Sequence, residues 1–235
     1  MIRVRDLSFG YSGEEILKQI SFEAVRGQCV GLLGTNGSGK STLLGLLGGL
    51  FSPVSGSICI QDLQSPGQEP AIRRKTGLLL QEAELQILGA TAREDLDLSL
   101  RTRGCRDEGA ALELAGRFGL LEVLDQPVQH LSGGQKRKLC LAAVLLKKPD
   151  VLLFDEPFSG LDYPSSQELR HILQENRKQG ISQIIAAHDL EPLLGIVETC
   201  LILQQGRLAF AGEIADIRER LSEFGIRPLG RGFEP

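Results

Sequence analysis

Gly34-Thr35-Asn36-Gly37-Ser38-Gly39-Lys40-Ser41 fits the pattern G-x-x-x-x-G-K-[ST]. It follows an apolar run, Val30-Gly31-Leu32-Leu33, that reads as a buried strand. It enters Thr42-Leu43-Leu44-Gly45-Leu46-Leu47, which reads as the start of a helix. Strand, glycine loop and helix are the setting a phosphate-binding loop needs, because backbone N–H groups and the helix dipole then point at one place. Glycines remove the side chains that would block the phosphates. The candidate contacts are Gly34, Asn36, Gly37, Ser38, Gly39, Lys40, Ser41 and Thr42. Lys40 would reach the β- and γ-phosphates and the Ser41 hydroxyl would hold Mg²⁺. A plain glycine-rich turn is the alternative, and the flanking strand and helix argue against it.

Working outward, residues 2–10 alternate apolar and polar, as an exposed antiparallel strand does. Strands are expected at Ile20–Ala24, Gln28–Leu33, Ser57–Gln61 and Thr76–Gln81, with a turn at Pro53–Gly56. From Ala90 to about Leu124 leucines recur at helical spacing, and glycines at 104, 109 and 119 divide the segment into short helices. Another helix follows Ser132-Gly133-Gly134 and runs to Leu146 before Pro149. Strands at Val151–Phe154 and Ser182–Ala187 then flank a helix at Ser165–Lys178. Thr199–Gln204 and Arg207–Ala211 form a hairpin across Gln205-Gly206, Glu213–Phe224 reads as a helix, and Pro228–Pro235 as a mobile tail. Apolar central strands alternating with helices imply a mostly parallel sheet covered on both faces. The helical insert, about residues 83–145, forms a lobe on that core, so the chain reads as one domain over 1–235.

Two further stretches carry chemistry. Val151-Leu152-Leu153-Phe154-Asp155-Glu156 ends an apolar strand with two carboxylates. Ligands of open parallel sheets sit beyond the strands' carboxyl ends, so the pair would face the phosphate loop's crevice. One carboxylate can hold Mg²⁺ and the other polarise a water. Leu131-Ser132-Gly133-Gly134-Gln135 opens a helix with a good N-cap and bare amides, a second anion-binding helix start. Standing alone it would be an ordinary Ser-Gly-Gly turn.

Bulk properties exclude several classes. The chain has 235 residues, 42% hydrophobic and 24% charged, with a net charge of −4 and a pI of about 5.5. No basic field points to nucleic acid. The longest apolar stretch, Leu43 to Phe51, is far short of the ~20 residues that span a bilayer. Cys29, Cys59, Cys105, Cys140 and Cys200 are widely spaced and read as small residues in a reducing compartment. His130 and His171 match no motif, and Lys136-Arg137-Lys138 reads as a solvated helix face.

The phosphate loop, the Ser132–Gln135 motif, the acid pair, Ser159-Gly160-Leu161-Asp162 and His188 after a strand occur in this order. Together they resemble the ATP-binding subunit of an ATP-binding-cassette transporter, over about residues 1–215. The resemblance implies a P-loop NTPase core with an N-terminal antiparallel β subdomain and an inserted helical lobe. It implies that Tyr11 stacks on adenine and that Gln81 contacts Mg²⁺ and the attacking water. Ser132, Gly134 and Gln135 would bind ATP held by a second ATPase subunit, identical or homologous. Asp155 would bind Mg²⁺, Glu156 would be the general base, Asp162 would cross the dimer interface and His188 would bond the γ-phosphate. The partners implied are that second subunit and integral membrane transport subunits, at the cytoplasmic face of the cell membrane. The run from Gln81 to Leu88, with Gln86 five residues after Gln81 and Glu94-Asp95 beyond, is similar to energy-coupling-factor ATPases, which serve uptake of cobalt, nickel or vitamins. Other readings are a general importer ATPase and a soluble cassette ATPase of iron–sulfur cluster assembly. A clamp on DNA or ribosome is disfavoured by the absence of a coiled-coil insert, a second cassette or a basic excess.

Overall fold

The computed structural model describes residues 1–102 and 107–229. Two sheets and a helical layer build the molecule. The first sheet is antiparallel, ordered β2-β1-β4-β5, from β1 (Ile2–Tyr11), β2 (Glu14–Ala24), β4 (Ser55–Ile60) and β5 (Leu63–Ser65). The second contains β3 (Cys29–Leu33), β6 (Thr76–Leu79), β7 (Val151–Asp155), β8 (Ser182–Ala187), β9 (Thr199–Gln204) and β10 (Arg207–Glu213). Its order is β10-β9-β3-β8-β7-β6, parallel throughout except for β10.

Period-two alternation divides the central strands between two cores. Leu33, Phe154, Ile185 and Ile202 face one core; Leu32, Leu153, Ile184 and Leu201 face the other. In the second core α1 (Lys40–Leu47) lies between the sheets, with Leu43, Leu44, Leu46 and Leu47 all at 0% exposure. Each such leucine contributes about 2 kcal/mol of burial. The helix that leaves the glycine loop is thus deeply anchored between the sheets. The other face is covered by α3 (Ala92–Thr102), α4 (Glu108–Arg117), α5 (Gly133–Leu146) and α6 (Tyr163–Lys178). Phe118, Leu120 and Leu139 of the inserted segment share one core with Leu152 and Phe154 of the sheet. Among the described residues no helix is long and apolar enough to cross a membrane.

Several expectations are corrected. β1 is not an exposed strand: it pairs on both edges and buries Ile2, Val4, Leu7 and Phe9. β2 begins at Glu14 rather than Ile20, because its outer face carries the charged residues of an edge strand. The segment α2 (Glu69–Lys75), unexpected from its polar sequence, buries only Ile72. It is fixed at its start by Glu69, which accepts from the Ser52 and Ser65 hydroxyls and from the Gly67 amide. Chiefly the Ser52 bond draws the Glu69 carboxyl down to about 2. Gly109 does not break a helix; it lies in the first turn of α4, which Asp107 caps. The Glu213–Phe224 helix stops early: α7 (Ile214–Ile217) gives way to a 3-10 turn at Leu221–Phe224. The hairpin does form, with positive φ at both Gln205 and Gly206, the backbone of a type I′ turn. Cys105 and Gly104, and the tail from residue 230 onward, lie outside the described residues.

Candidate functional site

Sheet order brings the sequence motifs together. Four neighbouring strands, β3, β8, β7 and β6, end on the same edge: the glycine loop follows β3, His188 follows β8, the acid pair straddles the end of β7 and Gln81 lies two residues past β6. The loop itself admits no side chain at its first glycine: Gly34 has φ +152, and a Cβ there would lie 2.4 Å from the Leu203 carbonyl oxygen. The N-cap of α1 is Gly39, without a side-chain cap, so the first-turn amides meet no side-chain acceptor.

Lys40 is 5% exposed. Its Nζ donates to the Gly34 carbonyl at 2.8 Å and the Thr35 carbonyl at 3.3 Å, and lies 3.6 Å from Glu156 Oε1. The other Glu156 oxygen is 3.2 Å from His188 Nδ1, and His188 Nε2 is 3.6 Å from Asp189 Oδ2. Glu156 has φ 48, in the left-handed region, at a backbone cost of order 1–2 kcal/mol. Its amide donates to the Ala186 carbonyl at 3.1 Å, holding that conformation against β8.

Asp155 is buried, 6% exposed, and hydrogen-bonded by the Ser41 side chain. Burial raises its pKa above the ordinary 3.8, against the lowering effect of that bond. Asp155 Oδ1 and Ser38 Oγ are both buried without a hydrogen-bond partner. Unsatisfied buried oxygens are costly. Asp155 Oδ1 lies where the Ser41 bond joins the acid pair to the loop, so a group bound there would satisfy it. A Ser hydroxyl and a carboxylate are hard oxygen donors, and two protein donors suit Mg²⁺, which completes its shell with phosphate and water.

The remaining candidates are placed differently. Ser132 caps α5: its Oγ accepts from the Gln135 amide, and Gln135 Oε1 accepts from the Ser132 amide, a complete capping box. Gly134 beside them is exposed. The Tyr11 ring, 45% exposed, stands edge-on to Phe9 and Phe51 at 5.0 and 5.7 Å. Asp162 caps α6 by accepting from the Ser165 amide. His130 and His171 are exposed and join no site.

Three residues gain parts that their sequence context did not give them. Arg137 is not on a solvated face: it donates to the carbonyls of Pro157, Ser159 and Gln81. Gln86 fastens the glutamine loop to the edge of β6, with Oε1 accepting from the Leu80 amide at 2.8 Å and Nε2 donating to the Leu78 carbonyl at 2.7 Å. Buried Asp95 accepts from the amides of Leu88 and Gly89, closing that loop onto α3. A doublet of acids after a loop is the sequence signal for such a cap; nothing comparable marks Arg137.

The chain is similar to known proteins. The ABC transporter family profile matches residues 17–159, more than half of the chain. The energy-coupling factor transporter ATP-binding protein EcfA of Methanothermobacter thermautotrophicus is 32% identical over 224 residues, 92% of this chain and 72% of that one. The cobalt import ATP-binding protein CbiO of Rhodobacter capsulatus is 31% identical over 225 residues, 92% of this chain and 80% of that one. Among solved structures, a dimeric ATP-binding cassette in a post-hydrolysis state with ADP and Pi superposes with a TM-score of 0.82 at 25% identity. That match covers 91% of this chain and 99% of the other.

Proposed function

The chain belongs to the ABC transporter family and is an ATPase of it; from that premise we propose that it powers a membrane importer of the energy-coupling-factor type. The solute is a transition-metal ion such as cobalt or nickel, or a vitamin. The observation that carries the ATPase site is the contact of Lys40 and His188 with one carboxylate, Glu156, beside the Ser41–Asp155 pair. The EcfA and CbiO relatives, together with Gln86 behind Gln81, support the importer class.

In this reading the loop amides, Lys40 and Thr42 bind the phosphates, and Tyr11 offers its exposed ring to adenine. Ser41 and Asp155 would hold Mg²⁺, which neutralises charge developing on the β- and γ-phosphates when bound. Glu156 takes the proton of the attacking water, Gln81 orients that water, and His188 donates to the γ-phosphate. Lys40 must exchange the Gly34 and Thr35 carbonyls for phosphate oxygens, which frees Glu156 for its role as base.

Ser132, Gly134 and Gln135 form a helix start on the surface, with Ser132 and Gly134 exposed. Two protomers facing head to tail would bring one chain's helix start to the other's loop. ATP then closes the pair and hydrolysis opens it. The exposed Leu85 and Leu88, at 69% and 82%, adjoin the glutamine loop and supply an apolar contact for integral membrane subunits. The ATPase would accordingly work at the cytoplasmic face of the membrane. Purification of the tagged chain from solubilised membranes tests the importer reading. An integral membrane partner carrying a bound metal or vitamin supports it, while exclusively soluble partners would overturn it in favour of a cluster-assembly ATPase.

A further inference from the structure

Arg137 lies one turn into α5 from the exposed Ser132–Gly134 start. Its neighbour Lys138 pairs outward with Glu168 at 2.8 Å. Arg137 instead turns inward and is half-buried, and burial lowers its pKa. Nη1 donates to the Pro157 carbonyl at 3.0 Å and the Ser159 carbonyl at 2.8 Å, and Nη2 to the Gln81 carbonyl at 3.3 Å. Those three acceptors belong to two different loops. One continues the acid pair: the Ser159 amide donates to the Glu156 carbonyl at 3.1 Å, closing a tight turn. The other carries Gln81.

We propose that Arg137 is a positioning residue for hydrolysis, a latch that sets the separation between Gln81 and Glu156 and ties both to the helix that meets the second protomer. This rests on the ATPase reading above. A guanidinium is a planar fork with several donors in fixed directions, so it can hold two chains at one spacing; an ammonium on a flexible stem cannot. All the acceptors are backbone carbonyls, so the latch fixes the loops whatever their side chains do. Because α5 presents its own start to the partner, any shift of α5 on dimer closure moves the carbonyls of 81, 157 and 159 together. Alignment of water and base is thereby linked to the partner's arrival.

The test compares Arg137→Lys and Arg137→Gln with the unaltered full-length chain, measuring kcat, KM and the Kd for a fluorescent ATP analogue, with a melting curve for each. A misplaced base and water should lower kcat roughly ten- to a hundredfold. Kd and KM should stay within about twofold, since neither variant touches the phosphate loop. Lysine should not restore the rate although it keeps the charge. Recovery of the full rate by lysine, an unchanged kcat in both variants, or a matching loss of Kd and kcat would overturn the latch. Lys40→Ala separates the two ideas. If it leaves turnover intact, the ATPase assignment of the loop falls; if it abolishes turnover while the Arg137 variants run normally, only the latch falls.

Discussion

Glu156→Gln is the most informative single change in this chain. The carboxylate contacts Lys40 on one oxygen and His188 on the other, and its side chain is only 11% exposed. At 3.6 Å and an effective dielectric near 20, the attraction to Lys40 is about 4–5 kcal/mol before desolvation is subtracted. That attraction competes with phosphate for the same ammonium. Glutamine has the same shape and the same backbone preference, so the fold should not change, but the competition disappears. ATP binding should therefore be retained or tightened, by up to about tenfold if a net 1.4 kcal/mol is released. Loss of the base should slow hydrolysis by roughly 10²–10⁴. Binding without hydrolysis should hold the closed pair, and gel filtration with ATP and Mg²⁺ should show a species of twice the monomer mass, reverting with ADP. If this variant stays monomeric at saturating ATP, the shared-site mechanism is wrong; if its ATP affinity falls instead, the role given to the Lys40 contact is wrong.

Asp155→Asn should divide stability from activity. The Asp155 pKa is raised, so ionisation costs the folded state nothing below the ordinary 3.8 and costs it fully once the pH exceeds the raised value. At neutral pH removal of the charge should raise the melting temperature by roughly 2–4 °C for each kcal/mol recovered, while Mg²⁺-dependent turnover is lost; a lower melting temperature would contradict the desolvation account. Phe118→Ala, at a fully buried position shared by the helical insert and the sheet, should cost about 3–5 kcal/mol in denaturant unfolding. A change below about 1 kcal/mol would show that the insert is not anchored there. Burial pushes the Cys29 and Cys140 thiols up to about 12 and Cys200 to about 11, so peptide mapping after mild alkylation at pH 8 should find these three unmodified in the native protein. Rapid modification of any of them would refute its burial.

Much of the fold is legible because local rules and tertiary packing agree. The run Val151–Phe154 is apolar at every position and is buried on both faces. Gln205-Gly206 asks for a tight hairpin turn and forms one. Ser132 and Gln135 have the spacing of a capping box, and the box is complete. The failures have equally specific causes. Ile214, Ile217 and Leu221 satisfy a helical period and are all buried, yet past Arg218 the bonding becomes Arg220 to Ile217 and Glu223 to Arg220, three residues apart. A period of apolar residues cannot tell a continuous helix from two turns with the same buried face. The residues Glu14 to Gln19 look too polar for a strand because their exposed side faces water beside an edge.

The site divides along a different line. The glycine loop and the acid pair each carry a local sequence signal, His188 is singled out by the family resemblance, and the order β3-β8-β7 makes neighbours of strands distant in the chain. Sequence spacing therefore locates the groups proposed to meet the nucleotide, since each sits at or just past a strand end. It does not locate what holds those strand ends in register with one another. Arg137 reads as one of three consecutive cations, and the acceptors that single it out are backbone carbonyls, which every residue possesses. Nothing in the identities of Gln81, Pro157 or Ser159 marks them as its partners. Groups that do chemistry need particular side chains and so leave a pattern; groups that fix distances between loops can use the main chain and leave none. That asymmetry is the reason the candidate chemistry of this cassette is read from its motifs, while the bonds proposed to align it emerge only from its geometry.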